Sequence, residues 1–128
     1  MAGRVVHFEV PYGDGDRART FYREAFGWNV MEMPEMSYTM VSTGPVDEQS
    51  SMPSEPGFIN GGMFERTEAL QRPMITVDVD DIDTALKTVE SLGGKTISEK
   101  MPVGEMGFAA YFEDPEGNVL GLWQTATP

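Results

Sequence analysis

The chain has 128 residues, 40% of them hydrophobic, enough for one well-filled core and too few for two independent domains. Its formal net charge of -12, from 9 Lys and Arg against 21 Asp and Glu, would repel a phosphate backbone and an anionic lipid surface. Nucleic acid and membrane are therefore not expected partners, and a neutral or cationic small ligand is electrostatically easier. The absence of Cys excludes disulfides, thiolate metal sites and a Cys nucleophile.

The sequence enters a strand-like run, Val5-Val6-His7-Phe8-Glu9-Val10, with no apolar signal segment before it. No stretch approaches the ~18 consecutive apolar residues of a membrane span, so a cytoplasmic location is expected. Pro11-Tyr12-Gly13-Asp14-Gly15 follows as a loop of turn residues. Asp16 is positioned to cap a helix whose apolar stripe is Ala18, Phe21, Tyr22, Ala25 and Phe26, ended by Gly27. Tyr22 is expected in the core between helix and sheet. Three strands are predicted next, at Trp28 to Met33, Ser37 to Ser42 and Phe58 to Arg66. Between the last two, Gly44 to Gly57 carries three Pro, three Ser and three acids and reads as a mobile surface loop.

The same order then repeats. Met74-Ile75-Thr76-Val77-Asp78-Val79 is strand-like, and Asp83 precedes a helical stripe of Ala85, Leu86, Val89 and Leu92 that Gly93-Gly94 closes. Placing His7 over Met74 puts Asp16 over Asp83, Ala18 over Ala85 and Gly27 over Gly94 with no gap. Strands are predicted at Lys95 to Ser98, Gly107 to Glu113 and Asn118 to Thr125, with a glycine-containing loop at Met101 to Gly107. Asp114-Pro115-Glu116-Gly117-Asn118 is a tight-turn sequence, since Pro presets a negative φ and Gly accepts the left-handed one. The fold class is therefore α+β: two βαβββ modules, about 1–67 and about 72–128, forming paired curved mixed sheets around a cleft.

The residues just quoted resemble the vicinal oxygen chelate superfamily, which groups glyoxalase I, bleomycin-resistance proteins and extradiol dioxygenases. The resemblance is carried by His7, by Phe21-Tyr22 with Phe26-Gly27-Trp28, by Gly93-Gly94 and by Asp114-Pro115-Glu116-Gly117-Asn118, and it spans nearly the whole chain. Metal-using members hold their ion with four ligands, on the first and last strands of each module. The resemblance places those four positions at His7, Gly62, Met74 and Gly121, so His7 is the one ligand-like residue retained. A single imidazole cannot hold a divalent ion against water, and a thioether is a poor substitute for imidazole, so no cofactor is expected.

Glu9 lies two residues after His7 and shares its sheet face, as Thr76 shares that of Met74. His7 can contact a ligand, act as a general base with Glu9, or be a remnant satisfied by Glu9. Phe64 and Trp123 follow Gly62 and Gly121 by two residues, so each ring points the same way as the lost ligand position beside it. These rings either wall an aromatic cleft or fill the space between sheets. The ligand-binding set is thus His7, Glu9, Gly62, Phe64, Met74, Thr76, Gly121 and Trp123, for an apolar or aromatic metabolite or drug. The alternative is a lyase or isomerase related to lactoylglutathione lyase, with His7 as base. A homodimer is expected, because bare sheet edges tend to pair. Ten Met residues, seven of them in the first half, serve either as flexible core filler or as an adaptable binding surface.

Overall fold

The computed structural model describes residues 3–50 and 52–126. Alternation of apolar residues with polar ones yields β1 (Val5–Tyr12), β2 (Asn29–Met33), β3 (Tyr38–Ser42) and β4 (Asn60–Glu65), with helix α1 (Gly15–Phe26) between β1 and β2. The second set is β5 (Met74–Asp78), α2 (Ile82–Ser91), β6 (Lys95–Val103), β7 (Gly107–Glu113) and β8 (Val119–Thr125). The chain divides into two compact units, His7–Pro73 and the segment from Met74 onward joined by the residues up to Val6. The early residues join the latter through backbone bonds from Gly3 N to Asp78 O (2.6 Å) and from Asp78 N to Arg4 O (2.9 Å).

In the His7–Pro73 unit the strands run in the order β2-β3-β4-β1, with β1 and β4 parallel and the other pairs antiparallel. One face packs under α1. Val30, Val41 and Met63 form its buried centre, with Phe8, Val10, Tyr12, Ala18, Tyr22 and Trp28 around them. Tyr22 therefore sits between helix and sheet as its position in the stripe predicts, stacked on Trp28 at 5.0 Å between centroids. Phe21 and Phe26 do not: they are 57% and 63% exposed, because a stripe drawn through five positions is wider than the contact that one sheet makes with a 12-residue helix.

The other unit repeats this arrangement in the order β5-β8-β7-β6. Ile82 and Leu86 of α2 pack on Ala110 and Leu122, all at 7% exposure or less, flanked by Val77, Val79, Phe108 and Phe112. Full burial of such side chains contributes roughly 1.5–3 kcal/mol each. The start of α2 is tied to β8 by Ile82 N, which donates to Gln124 Oε1 at 2.8 Å.

Several local expectations change. The helix caps are Asp14 and Asp81, whose carboxylates accept from Arg17 N (3.1 Å) and Thr84 N (2.9 Å), while Asp16 and Asp83 lie in the first turns. An N-cap must sit in extended backbone two or three residues ahead of the amide it satisfies, and Asp14 and Asp81 meet that condition. The repeat offset survives the change. Strand β6 continues through Met101, Pro102 and Val103, where a loop is predicted, because pairing resumes after two register shifts with Met101 opposite Ala109 and Val103 opposite Gly107. Pro102 is tolerated there, since β6 has a strand on one side only. The long segment after β3 is folded back on itself by a bridge between Val46 and Pro53. The turn at 114–118 forms as predicted: Asp114 Oδ1 accepts from Glu116 N and Asn118 N at 2.8 and 2.9 Å, and Gly117 takes φ 86°.

Replacing either cap should be costlier than replacing its first-turn neighbour. Asp14→Ala and Asp81→Ala are expected to destabilise by about 1 kcal/mol each and Asp16→Ala and Asp83→Ala by a few tenths. Urea unfolding of the four variants measures the difference, and a loss at Asp16 or Asp83 as large as that at Asp14 or Asp81 would refute the cap assignment.

Candidate functional site

In the His7–Pro73 unit, residues alternate between the helix-covered face and an open face. Register sets Asn60 beside His7, Gly62 beside Glu9 and Met40 beside Gly62, so the open face of β1, β4 and β3 carries His7, Glu9, Asn60, Gly62, Phe64, Met40 and Tyr38. At its centre Tyr38 makes two hydrogen bonds. Its hydroxyl donates to Glu9 Oε2 at 2.7 Å and lies 2.9 Å from His7 Nε2.

The proton count follows from these two distances. Tyr38 Oη has one proton and gives it to Glu9, so it accepts from His7 Nε2–H, and a neutral imidazole keeps Nδ1 as its acceptor. Burial pushes His7 down to about 4, since the desolvated ring resists a positive charge. Glu9 is only 6% exposed, which would be costly for a carboxylate without a partner. The sequence pairs Glu9 directly with His7; in the structure the phenol stands between them.

Gly62 explains how the phenol reaches that place. A Cβ on Gly62 would run into Tyr38 Oη and the adjoining ring carbons, so the bare α-carbon provides the volume that the ring occupies. Tyr38 also stacks on Phe64, with centroids 6.4 Å apart and planes 18° apart. The volume beside Gly62 is thus filled by the chain's own side chain. Sequence reasoning missed Tyr38 because it entered only as one residue of a predicted strand; the available signal was the glycine, which on a packed sheet face implies a bulky neighbour on the same side.

The open face of the other unit carries Met74, Thr76, Gly121 and Trp123. Thr76 pairs in register with Gly121, and a Cβ on Gly121 would come within 2.8 Å of Thr76 Oγ1 and 3.4 Å of Tyr111 Cε1. Met74 and Thr76 are each 6% exposed. Trp123 bonds through Nε1 to Thr125 Oγ1 at 3.1 Å and lies close against Gly107. Here too the glycine is a point of close approach.

A divalent ion does not fit these residues. Among the described residues no three His, Asp or Glu side chains are grouped to hold one. In the His7–Pro73 unit the imidazole and the carboxylate both spend hydrogen bonds on Tyr38, and Gly62 supplies no donor. Likewise, no helix of the described residues is long and apolar enough to cross a membrane.

Each unit is thus a helix-backed βαβββ module whose open face holds a few polar groups among aromatic and thioether side chains, the fold of the glyoxalase and bleomycin-resistance type. Residues 4–44 match the family described as bleomycin resistance protein-like N-terminal. Over 118 residues the chain is 30% identical to a lactoylglutathione lyase of Haemophilus influenzae, covering 89% of this chain and 87% of that one. A variant of the methylmalonyl-CoA epimerase of Streptomyces coelicolor, solved with 2-nitronate-propionyl-CoA, superposes with a TM-score of 0.64 at 16% identity, over 99% of this chain and 100% of the other. A glyoxalase/bleomycin resistance protein/dioxygenase superfamily member from Vibrio splendidus gives 0.60 at 15% identity, over 98% and 99%. The two structural likenesses establish the fold; the sequence match goes further. The chain belongs to the vicinal oxygen chelate superfamily, with lactoylglutathione lyases among its relatives.

Two measurements check this site. Because folded His7 stays neutral down to about 4 while the unfolded ring protonates near 6.5, the unfolded chain binds more protons between those values. Stability should therefore fall on acidification from pH 6.5 to 4, by up to about 3 kcal/mol for this residue, and a His7→Asn variant should lack that component. Separately, Gly62→Ala should cost about 1–3 kcal/mol by forcing Tyr38 aside, and should cost much less in a Tyr38→Ala background. Additive losses would refute the contact.

Proposed function

We propose that this chain binds a small apolar or aromatic molecule, without a metal ion, on the open sheet face of the His7–Pro73 unit, with His7, Glu9 and Tyr38 as the polar edge and Phe64 as an aromatic wall. The observation that carries the reading is Tyr38. Its hydroxyl engages both retained polar groups, and its ring occupies the volume that Gly62 leaves. A ligand meets rings and thioethers with one hydrogen-bonded edge, a composition that favours area burial and stacking over ion coordination. Gly62 sets the contour of that face, and the open face of the other unit, with Met74, Thr76, Gly121 and Trp123, is proposed to offer a comparable apolar surface of its own. The protein is proposed to be a homodimer, since β2 and β6 each have a strand on one side only.

A second reading is favoured by the imidazole itself. With Nε2–H committed to Tyr38, Nδ1 is the ring's basic nitrogen, which suits a lyase or isomerase of the lactoylglutathione lyase kind in which His7 removes a proton. If His7→Ala retained any activity so discovered, that role would be lost.

Elemental analysis of the purified protein is expected to find Ni, Zn, Mn and Fe far below one per chain; a stoichiometric ion would overturn metal-free binding. A thermal-shift panel of aromatic and apolar metabolites should contain compounds that raise Tm, by several degrees at saturating ligand, and Tyr38→Ala should alter which ones do. No shift across the panel would defeat the binding role. Sedimentation should give twice the chain mass.

A further inference from the structure

The hydrogen bonds on the open face of the His7–Pro73 unit leave two polar atoms unspent, on residues that register sets side by side. His7 Nε2–H is committed to Tyr38 Oη at 2.9 Å, which leaves Nδ1 an acceptor with no hydrogen bond among the described residues. Asn60, opposite His7 in the parallel pairing of β1 and β4, accepts the backbone N–H of Thr43 on its Oδ1 at 2.9 Å. A backbone N–H can only donate, so this contact fixes which end of the side-chain amide is oxygen and which is nitrogen. Asn60 Nδ2 is then a buried donor, and it has no acceptor among the described residues. Buried polar groups are paired in the great majority of cases, and one left unpaired carries its full desolvation penalty.

Together the two atoms specify what can be bound beside them. Nδ1 needs a donor and Nδ2 needs an acceptor, and a neutral hydroxyl is both at once. An ether or ketone oxygen satisfies Asn60 but leaves the imidazole lone pair facing an oxygen, and an aprotic ring satisfies neither. A carboxylate is opposed further. Its charge would meet the Nδ1 lone pair of a ring that burial keeps neutral down to about 4. None of the four strands contains Lys or Arg to offset that charge. Arg66, just beyond β4, is held by the backbone oxygens of Gln71 at 3.1 Å and Pro11 at 3.4 Å. The rings of Tyr38 and Phe64, stacked with centroids 6.4 Å apart, offer the rest of the ligand an aromatic surface. A site built to hydrogen-bond a ligand hydroxyl rejects the analogue that lacks it far more strongly than an apolar pocket rejects a missing methylene, because the site's own polar atoms are then left unpaired.

We propose that His7 Nδ1 and Asn60 Nδ2 form a hydroxyl-recognition pair, so that the ligand of this face is a neutral aromatic alcohol or phenol whose O–H donates to His7 and accepts from Asn60. The inference rests on the reading that this face binds a small aromatic molecule, and adds to it the polar group which that molecule carries. Asn60, which is not among the residues that the sequence singles out, becomes a specificity-determining residue beside His7.

Matched fragments test the pair: 2-naphthol, 2-methoxynaphthalene and 2-naphthoate, with benzyl alcohol, benzyl methyl ether and benzoate as a second series, titrated into the full chain and followed by nitrogen-15 NMR. In each series the hydroxyl form should bind at least about tenfold more tightly than the ether, and the carboxylate most weakly. Hydroxyl forms should shift the His7 Nδ1 resonance and the Asn60 side-chain amide, whereas the ethers should leave His7 Nδ1 in place. Asn60→Ala should weaken the hydroxyl forms by about fivefold, with its amide spectrum checking the fold; if that variant does not fold, the wild-type resonances decide. Ethers or carboxylates bound as tightly as the hydroxyl forms, hydroxyl binding that moves neither the His7 nor the Asn60 resonance, or unchanged affinity in folded Asn60→Ala would each overturn the hydroxyl pair while leaving the binding face intact. No binding by any member of either series would overturn both.

Discussion

The hydroxyl of Tyr38, donating to Glu9 and accepting from His7, is the interaction on which the His7–Pro73 unit depends. Strand β1 places an imidazole and a carboxylate two residues apart on one sheet face, and Glu9 is almost wholly removed from water. Left unpartnered, such a carboxylate would cost several kcal/mol. A phenol satisfies it without adding a charge, and one proton per hydroxyl then dictates the order of donors along the chain of three. The neutrality of His7 follows from the same burial.

That bond in turn needs the glycine. Tyr38 can lie across β4 only because Gly62 has no side chain, and the ring is then held from beyond by Phe64. In the other unit the corresponding glycine, Gly121, admits Thr76 and Tyr111 instead. The two modules therefore share a backbone solution and differ in what they press into it. In one the approach serves a buried polar chain; in the other it brings a strand residue and a ring together.

The repeat also shows where local sequence is a firm guide and where it is not. Caps at Asp14 and Asp81, closures near Gly27 and Gly93, and the hairpin turn of Asp114 to Asn118 all rest on interactions within a few residues, and their chemistry can be read from residue type. Even so, two acidic residues compete for each cap, and the backbone conformation decides between them. The extension of β6 past Ser98 is different in kind. Pro102 and the register shifts disguise a strand whose existence depends on β7 pairing with it.

By itself, the sequence determined the two-module α+β class, the order of elements, the faces on which His7, Glu9, Gly62, Phe64, Thr76, Gly121 and Trp123 lie, and the loss of three ligand positions. The class, the order and the faces follow from periodicity and from repetition, which act along the chain, whereas the ligand positions and their loss are what the resemblance to the superfamily implies. Only the tertiary structure decided that Tyr38 joins His7 to Glu9 across 29 to 31 residues of sequence, that the glycines are points of close approach, and that Asn60 stands beside His7. Each of these depends on which strands become neighbours and in what register. Alternation names the face a side chain takes, but the side chain it meets there is fixed only when the strands pair.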